Sequence, residues 1–169
     1  MISNKIEKKA ILVASIIFLL LFLYKFFPYY YFVEENKEIL EREFEQSIHR
    51  FNNQTVKVTI SDCALIVRYD NNVCQYSDAV SNYSKKYDLR YISKIRIKNS
   101  FLPEKNLSFA TFNFKSSSPR EAFQIKYQYC NGKRFDTFGI DDSDVFIDPT
   151  EFTGSIIRNI NAYIYRNCK

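Results

Sequence analysis

The stretch Ala122–Ile140, AFQIKYQYCNGKRFDTFGI, decides the fold. Phe123, Ile125, Tyr127 and Tyr129 alternate with Gln124, Lys126 and Gln128, the period of a half-buried strand. Asn131-Gly132 follows at once, and Lys133–Ile140 resumes a β-rich run. Asn-Gly between two such runs predicts a hairpin through a type I′ turn, which needs φ > 0 at both central residues. A hairpin makes its strands antiparallel, and antiparallel strands among helical segments define an α+β domain.

Working outward, Val56, Val58 and Ile60 alternate with Lys57 and Thr59, and Ala64–Tyr69 is a second β-rich run closed by the turn signal Asp70-Asn71-Asn72. Ser77–Tyr87 reads as a helix, with Tyr76, Val80, Tyr83 and Tyr87 on one face. Tyr91–Lys98 is a strand with Ile95 and Ile97 inward and Lys94, Arg96 and Lys98 outward; Leu107–Phe114 and Val145–Ile147 are further strands. Before the strands, Glu34–Phe51 carries Leu40, Phe44, Ile48 and Phe51 at helical spacing. After them, Asp148-Pro149-Thr150-Glu151 has the pattern of a capping box, opening a helix with the stripe Phe152, Ile156, Ile160 and Tyr163 or Ile164. The expectation is a single domain with one curled antiparallel sheet and flanking helices; a partial barrel is one form that such a sheet takes.

The run Ala10–Tyr24, AILVASIIFLLLFLY, continues past Lys25 to Val33. Roughly 20 apolar residues cross a hydrocarbon core, so a transmembrane helix is expected. The residues after it, Tyr24-Lys25-Phe26-Phe27-Pro28, lack the small side chains of a signal-peptide cleavage site. Lys5, Lys8 and Lys9 precede the run and a glutamate-rich segment follows it, which orients the N-terminus to the cytoplasm. The expected layout is a cytoplasmic tail (1–9), a transmembrane helix (10–32), a juxtamembrane amphipathic helix (33–52) and a periplasmic α+β domain (53–169). The location is then a bacterial inner membrane, crossed once, with the lipid bilayer as a standing partner.

All four cysteines, Cys63, Cys74, Cys130 and Cys168, follow the run. An even number on the exported side predicts two disulfides. Of the three allowed pairings, closure of short loops favours Cys63–Cys74 with Cys130–Cys168. Close cysteine pairs of the zinc-site kind are absent and His49 is the sole histidine, so no metal is expected.

The chain carries 16 Phe and 13 Tyr with only 3 Gly, too aromatic for a disordered segment. Phosphate-binding glycine motifs and a nucleophile elbow are missing, which argues against an enzyme; no cofactor, catalytic residue or catalytic substrate is expected. His49 sits one helical turn after Glu45, a candidate pH-responsive pair. Asp141, Asp142, Asp144 and Asp148 are acidic but lack calcium-loop spacing. Lys85, Lys86, Arg90, Lys94, Arg96 and Lys98 interleave with Tyr83, Tyr87 and Tyr91. On an exported domain this basic stretch points to headgroups or an acidic partner rather than to nucleic acid. The net charge of +5 is modest and partly cytoplasmic.

A basic tail, one span and a small exported domain resemble the membrane-anchored accessory proteins of ToxR-like transcription regulators: ToxS, the FidL-like proteins, and the PsaF and MyfF type. The residues that carry the resemblance are the Ala10–Tyr24 run, the Leu40-Phe44-Ile48 helix and the four cysteines. Length and a low-glycine, Tyr- and Asn-rich character are most similar to PsaF and MyfF. The resemblance implies a periplasmic domain that binds a membrane-bound transcription regulator through that regulator's own periplasmic domain. It implies stabilisation or activation of the regulator in response to pH, temperature or a small ligand, in the control of virulence and fimbria expression. A membrane-anchored periplasmic immunity protein that binds a toxin has the same layout and is the alternative.

Overall fold

The computed structural model describes residues 15, 17–18, 37–51, 54–71, 74–99, 107–139 and 143–169. The chain divides into two compact units, residues 1–34 and 35–169. In the first, Ser15, Ile17 and Phe18 are helical and exposed. The expected transmembrane helix otherwise falls outside the described residues, among which no helix is long and apolar enough to cross a membrane.

Among the described residues the second unit is α+β with two helices and two antiparallel sheets, so the expectation of one curled sheet or partial barrel is corrected. Helix α1 spans Lys37–Ser47. Strands β1 (Thr55–Ser61), β2 (Ala64–Asp70), β3 (Val80–Asp88), β6 (Phe123–Tyr129) and β7 (Arg134–Phe138) form one sheet in the order β1-β2-β3-β6-β7. Strands β4 (Ile92–Asn99), β5 (Ser108–Phe114) and β8 (Val145–Ile147) form the other, in the order β4-β5-β8. Helix α2 spans Thr153–Asn167. A single 3-10 turn, Leu89–Tyr91, carries the chain from β3 to β4 and thereby from one sheet to the other. The Asp88 carboxylate accepts from the Arg90 N–H at 3.1 Å, and Leu89 is fully buried under this turn. The hydrogen bond to the Arg90 side chain, ahead of the other influences, holds the Asp88 carboxyl below its ordinary range.

Ser77–Tyr87 is not a helix. Its step of four between Tyr83 and Tyr87 also keeps both on one face of a strand, since four is even. The odd step from Val80 to Tyr83 is absorbed by a bulge: Val80 faces Tyr129 and Tyr83 faces Tyr127, with the register shifting between Val80 and Asn82. Helical and strand readings therefore mark the same residues.

The 131–132 hairpin forms, but not with the expected turn. Gly132 has φ +82 while Asn131 does not enter positive φ. Gly132 N–H bonds Tyr129 C=O at 2.9 Å and Tyr129 N–H bonds Lys133 C=O at 2.9 Å. That is a three-residue loop closed by a left-handed glycine. Both central residues are instead left-handed in the β1–β2 connection, where Ser61 faces Ala64 across Asp62 (φ 46) and Cys63 (φ 59). Neither is glycine, and left-handed backbone there costs on the order of 1 kcal/mol each.

The disulfides are Cys63–Cys168 and Cys74–Cys130, with Cα–Cα distances of 5.5 and 5.6 Å. The expected pairing Cys63–Cys74 and Cys130–Cys168 is corrected. Strand β2 stands between Cys63 and Cys74, and its seven residues hold its ends roughly 20 Å apart. A disulfide tolerates less than about 7 Å between Cα atoms. A short loop that contains a strand is a rod, not a tether. Each observed bridge closes a long stretch, 105 and 56 residues apart, and constrains the unfolded chain by about 4 kcal/mol in a chain-entropy account.

The core lies between the inner faces of the sheets and the helices. Tyr87 is fully buried, stacks on Phe112 at 3.9 Å and donates its hydroxyl to Ser143 C=O at 2.7 Å. Leu40, Phe44 and Ile48 project from α1 and its exit, and Ile156, Ile157, Ile160 and Ile164 from α2. Phe152, expected in that stripe, is 65 % exposed, because α2 begins at Thr153 and the expected capping box lies outside the helix. Thr153 Oγ1 instead donates to Asp148 C=O at 2.9 Å. Ile97 shares the face of Ile95 yet remains exposed.

Candidate interaction surfaces

Past Ser47 the chain does not stay helical. It runs along β8: Ile48 forms an antiparallel bridge with Ile147, His49 N–H bonds Phe146 C=O at 3.0 Å, and Asp148 N–H bonds Ser47 C=O at 2.8 Å. This detour carries His49 away from Glu45, so the expected Glu45–His49 pair is corrected. His49 Nδ1 donates to Asp148 Oδ1 at 2.7 Å, the tautomer that an ionised carboxylate requires. The rings of His49 and Phe51 meet at 4.5 Å, Phe51 and Phe146 at 5.3 Å, and Phe146 and Phe109 at 4.6 Å. Lys98 pairs with Phe109, which pairs with Phe146, so the outer face of the three-stranded sheet runs from a basic row (Lys94, Arg96, Lys98) into a half-exposed aromatic patch.

The basic stretch read from the sequence is thus divided. Lys85 turns inward and donates to Asp144 C=O at 2.6 Å, Lys86 lies on the outer face of the larger sheet, and Tyr87 is core. On that outer face, register aligns Lys57, Arg68, Ser84, Lys126 and Asp136 in one row across all five strands. Arg68, Lys126, Arg134 and Asp136 help line a shallow hollow of about 560 Å³ there. Arg68 pairs with Asp70 at 3.0 Å and Lys126 with Asp136 at 3.9 Å. On the inner face Tyr69 stacks on Tyr83 at 4.5 Å, and burial above all pushes the Tyr69, Tyr83 and Tyr87 hydroxyls above their ordinary value near 10.

The edges of the sheets differ more than their faces. The Glu45 carboxylate accepts from Val58 N–H at 3.2 Å, and the Glu41 carboxylate from Ile60 N–H at 2.6 Å. Alternate residues of an edge strand aim their N–H groups outward. Two strand residues advance about 6.7 Å and one helical step of four about 6 Å, so Glu41 and Glu45 match two successive outward donors. On β4, Asn161 of α2 accepts from Ile95 N–H at 2.7 Å and donates to Ile95 C=O at 2.8 Å. On β8 the 47–49 segment supplies the pairing. Strand β7 alone has no such cover among the described residues. Its Phe135 is 56 % and its Phe138 51 % exposed.

Asp141 and Asp142 lie outside the described residues. No group of His, Cys, Asp and Glu suited to a metal ion occurs among the described ones. The sequence marked neither Glu41 nor Asn161, and it marked Glu45 only as a partner for His49; Glu41 and Glu45 share one helix line beside the apolar stripe, and that is the signal that was available. No protein family, curated protein or solved structure matches the chain.

Proposed function

We propose that this chain is a single-pass inner-membrane accessory protein without enzymatic activity. Its exported, disulfide-stapled domain binds the periplasmic part of a ToxR-like transcription regulator and stabilises or activates it. The apolar run Ala10–Tyr24 supports the tether, and the two disulfides support an oxidising compartment. The observation that carries the binding role is the aromatic patch Phe51–Phe146–Phe109 beside His49–Asp148 and the basic row of β4. Contiguous exposed rings rimmed by charge are the surfaces that proteins use for partners. Two tethered domains share one membrane plane, which raises their effective concentration, so a modest patch suffices.

The test is co-purification of the full chain from native membranes. The bound protein is expected to carry a DNA-binding domain and one span. The double variant F109S/F146S is expected to lower its recovery about tenfold, with the disulfides and melting transition retained. Recovery of a toxin would replace this reading with the immunity role. An inactive alkaline phosphatase fused after Lys169, with a cytoplasmic reporter active in its place, would remove the tether and its orientation.

A further inference from the structure

Strand β7, residues 134–138, reads RFDTF. Its pairs with β6 run Gln128 with Arg134 to Gln124 with Phe138. The bonds Tyr129 N–H to Lys133 C=O and Gly139 N–H to Phe123 C=O fix which residues face β6. By alternation, the backbone groups of Arg134, Asp136 and Phe138 point away from the sheet.

We propose that β7 pairs with β7 of a second copy of this chain, antiparallel about a two-fold axis at Phe135. Three placements of the axis pair at least three residues of the strand. Centred on Asp136, it sets Asp136 against Asp136 of the second copy, a like-charge contact. Centred on Thr137, it sets Asp136 against Phe138 of the second copy. Centred on Phe135, it sets Arg134 against Asp136 of the second copy, and the same pair repeats across the axis. Opposite charges facing across strands stabilise a pairing and like charges oppose it.

The register about Phe135 satisfies the main chain as well. Arg134 and Asp136 both present outward donors and acceptors, so the two strands exchange four main-chain hydrogen bonds. Phe135 falls at the position between them, where facing side chains come closest. Its exposed ring packs on its own copy. The two sheets merge into one of ten strands, and the outward groups of Arg134 and Asp136 gain partners while those of Phe138 lie beyond the paired stretch. The contact is isologous, so it closes at two copies. The inference rests on the sheet and its register alone, not on the membrane or regulator reading.

The test uses two differently tagged full-length copies expressed together and purified through one tag in mild detergent. Wild type is expected to carry its second copy. R134E with R134E, and D136K with D136K, each put like charges in register and are expected to lower recovery of the second copy about tenfold. R134E with D136K restores both opposite-charge contacts and is expected to recover the wild-type level. That rescue also shows that each variant is folded, and both keep the wild-type melting transition. Recovery insensitive to the substitutions, a wild type without its second copy, or failure of the mixed pair overturns the proposal. Loss of a different membrane protein from the β7 variants, with the self-pair unchanged, assigns the edge to a foreign strand and overturns it equally.

Discussion

The two ends of the five-stranded sheet are built on opposite plans. At β1 a helix lies alongside and two of its glutamates take up the outward N–H groups of Val58 and Ile60. At β7 nothing described lies alongside, and Phe135 and Phe138 stand in solvent. Unpaired edges recruit other strands, and folded proteins usually blunt them. A chain that closes β1, β4 and β8 by three different devices has the means to close β7 too. The placement of the helices, rather than strand sequence, decides which edge is covered, and the uncovered one is where a partner strand fits.

The contrast breaks most sharply with paired substitutions. E41A/E45A leaves two half-buried N–H groups without acceptors, and hydrogen bonds to charged groups are worth about 1.5–3 kcal/mol each. A loss of about 3 kcal/mol is expected in denaturant unfolding. R134A/D136A at the open edge is expected to change the same quantity by less than about 0.5 kcal/mol when measured on the single copy. Equal effects at the two ends would remove the distinction. N161A extends the comparison to the smaller sheet: it strips both partners from Ile95 and is expected to cost about 2 kcal/mol, whereas N161D keeps one acceptor and costs less.

The smallest effect concerns pH. Tyr69, Tyr83 and Tyr87 line the inner face, and their folded values lie above the ordinary value near 10, chiefly through burial. The unfolded chain therefore releases these protons first. Their contribution is fully present below pH 10 and is lost as pH rises beyond it. Alkaline unfolding should move to higher pH in Y69F, which removes one such proton; an unchanged midpoint would show that Tyr69 contributes nothing to it.

What the sequence made legible follows a physical rule. Alternation and helical stripes report burial of neighbours along the chain, so most of the strands, the 131–132 hairpin and the faces of both helices were readable, except that Phe51 and Phe152, expected in the two stripes, lie outside the helices and are exposed. Ser77–Tyr87 was not, because a step of four satisfies both periods until a bulge is allowed for. The disulfides were not, because loop length ignores the stiffness of β2 between Cys63 and Cys74. His49 was assigned to Glu45 as if the helix went on, but the chain left it at Ser47 to pair with β8 and so met Asp148, far away in sequence. Glu41 and Glu45 look like solvated helix residues until β1 lies beneath them. Most of these misses involve a contact between elements, which no local period encodes; the type of the 131–132 turn and the start of α2 are local exceptions.

The most direct test is residue-resolved amide hydrogen exchange across β1 and β7, on wild type and on R134E. Val58 and Ile60 are expected to be protected nearly to the level of the global unfolding free energy in both proteins. Asp136 is expected to be protected in wild type and to exchange freely in R134E. Val58 and Ile60 exchanging as fast as Asp136 does in R134E would contradict this expectation.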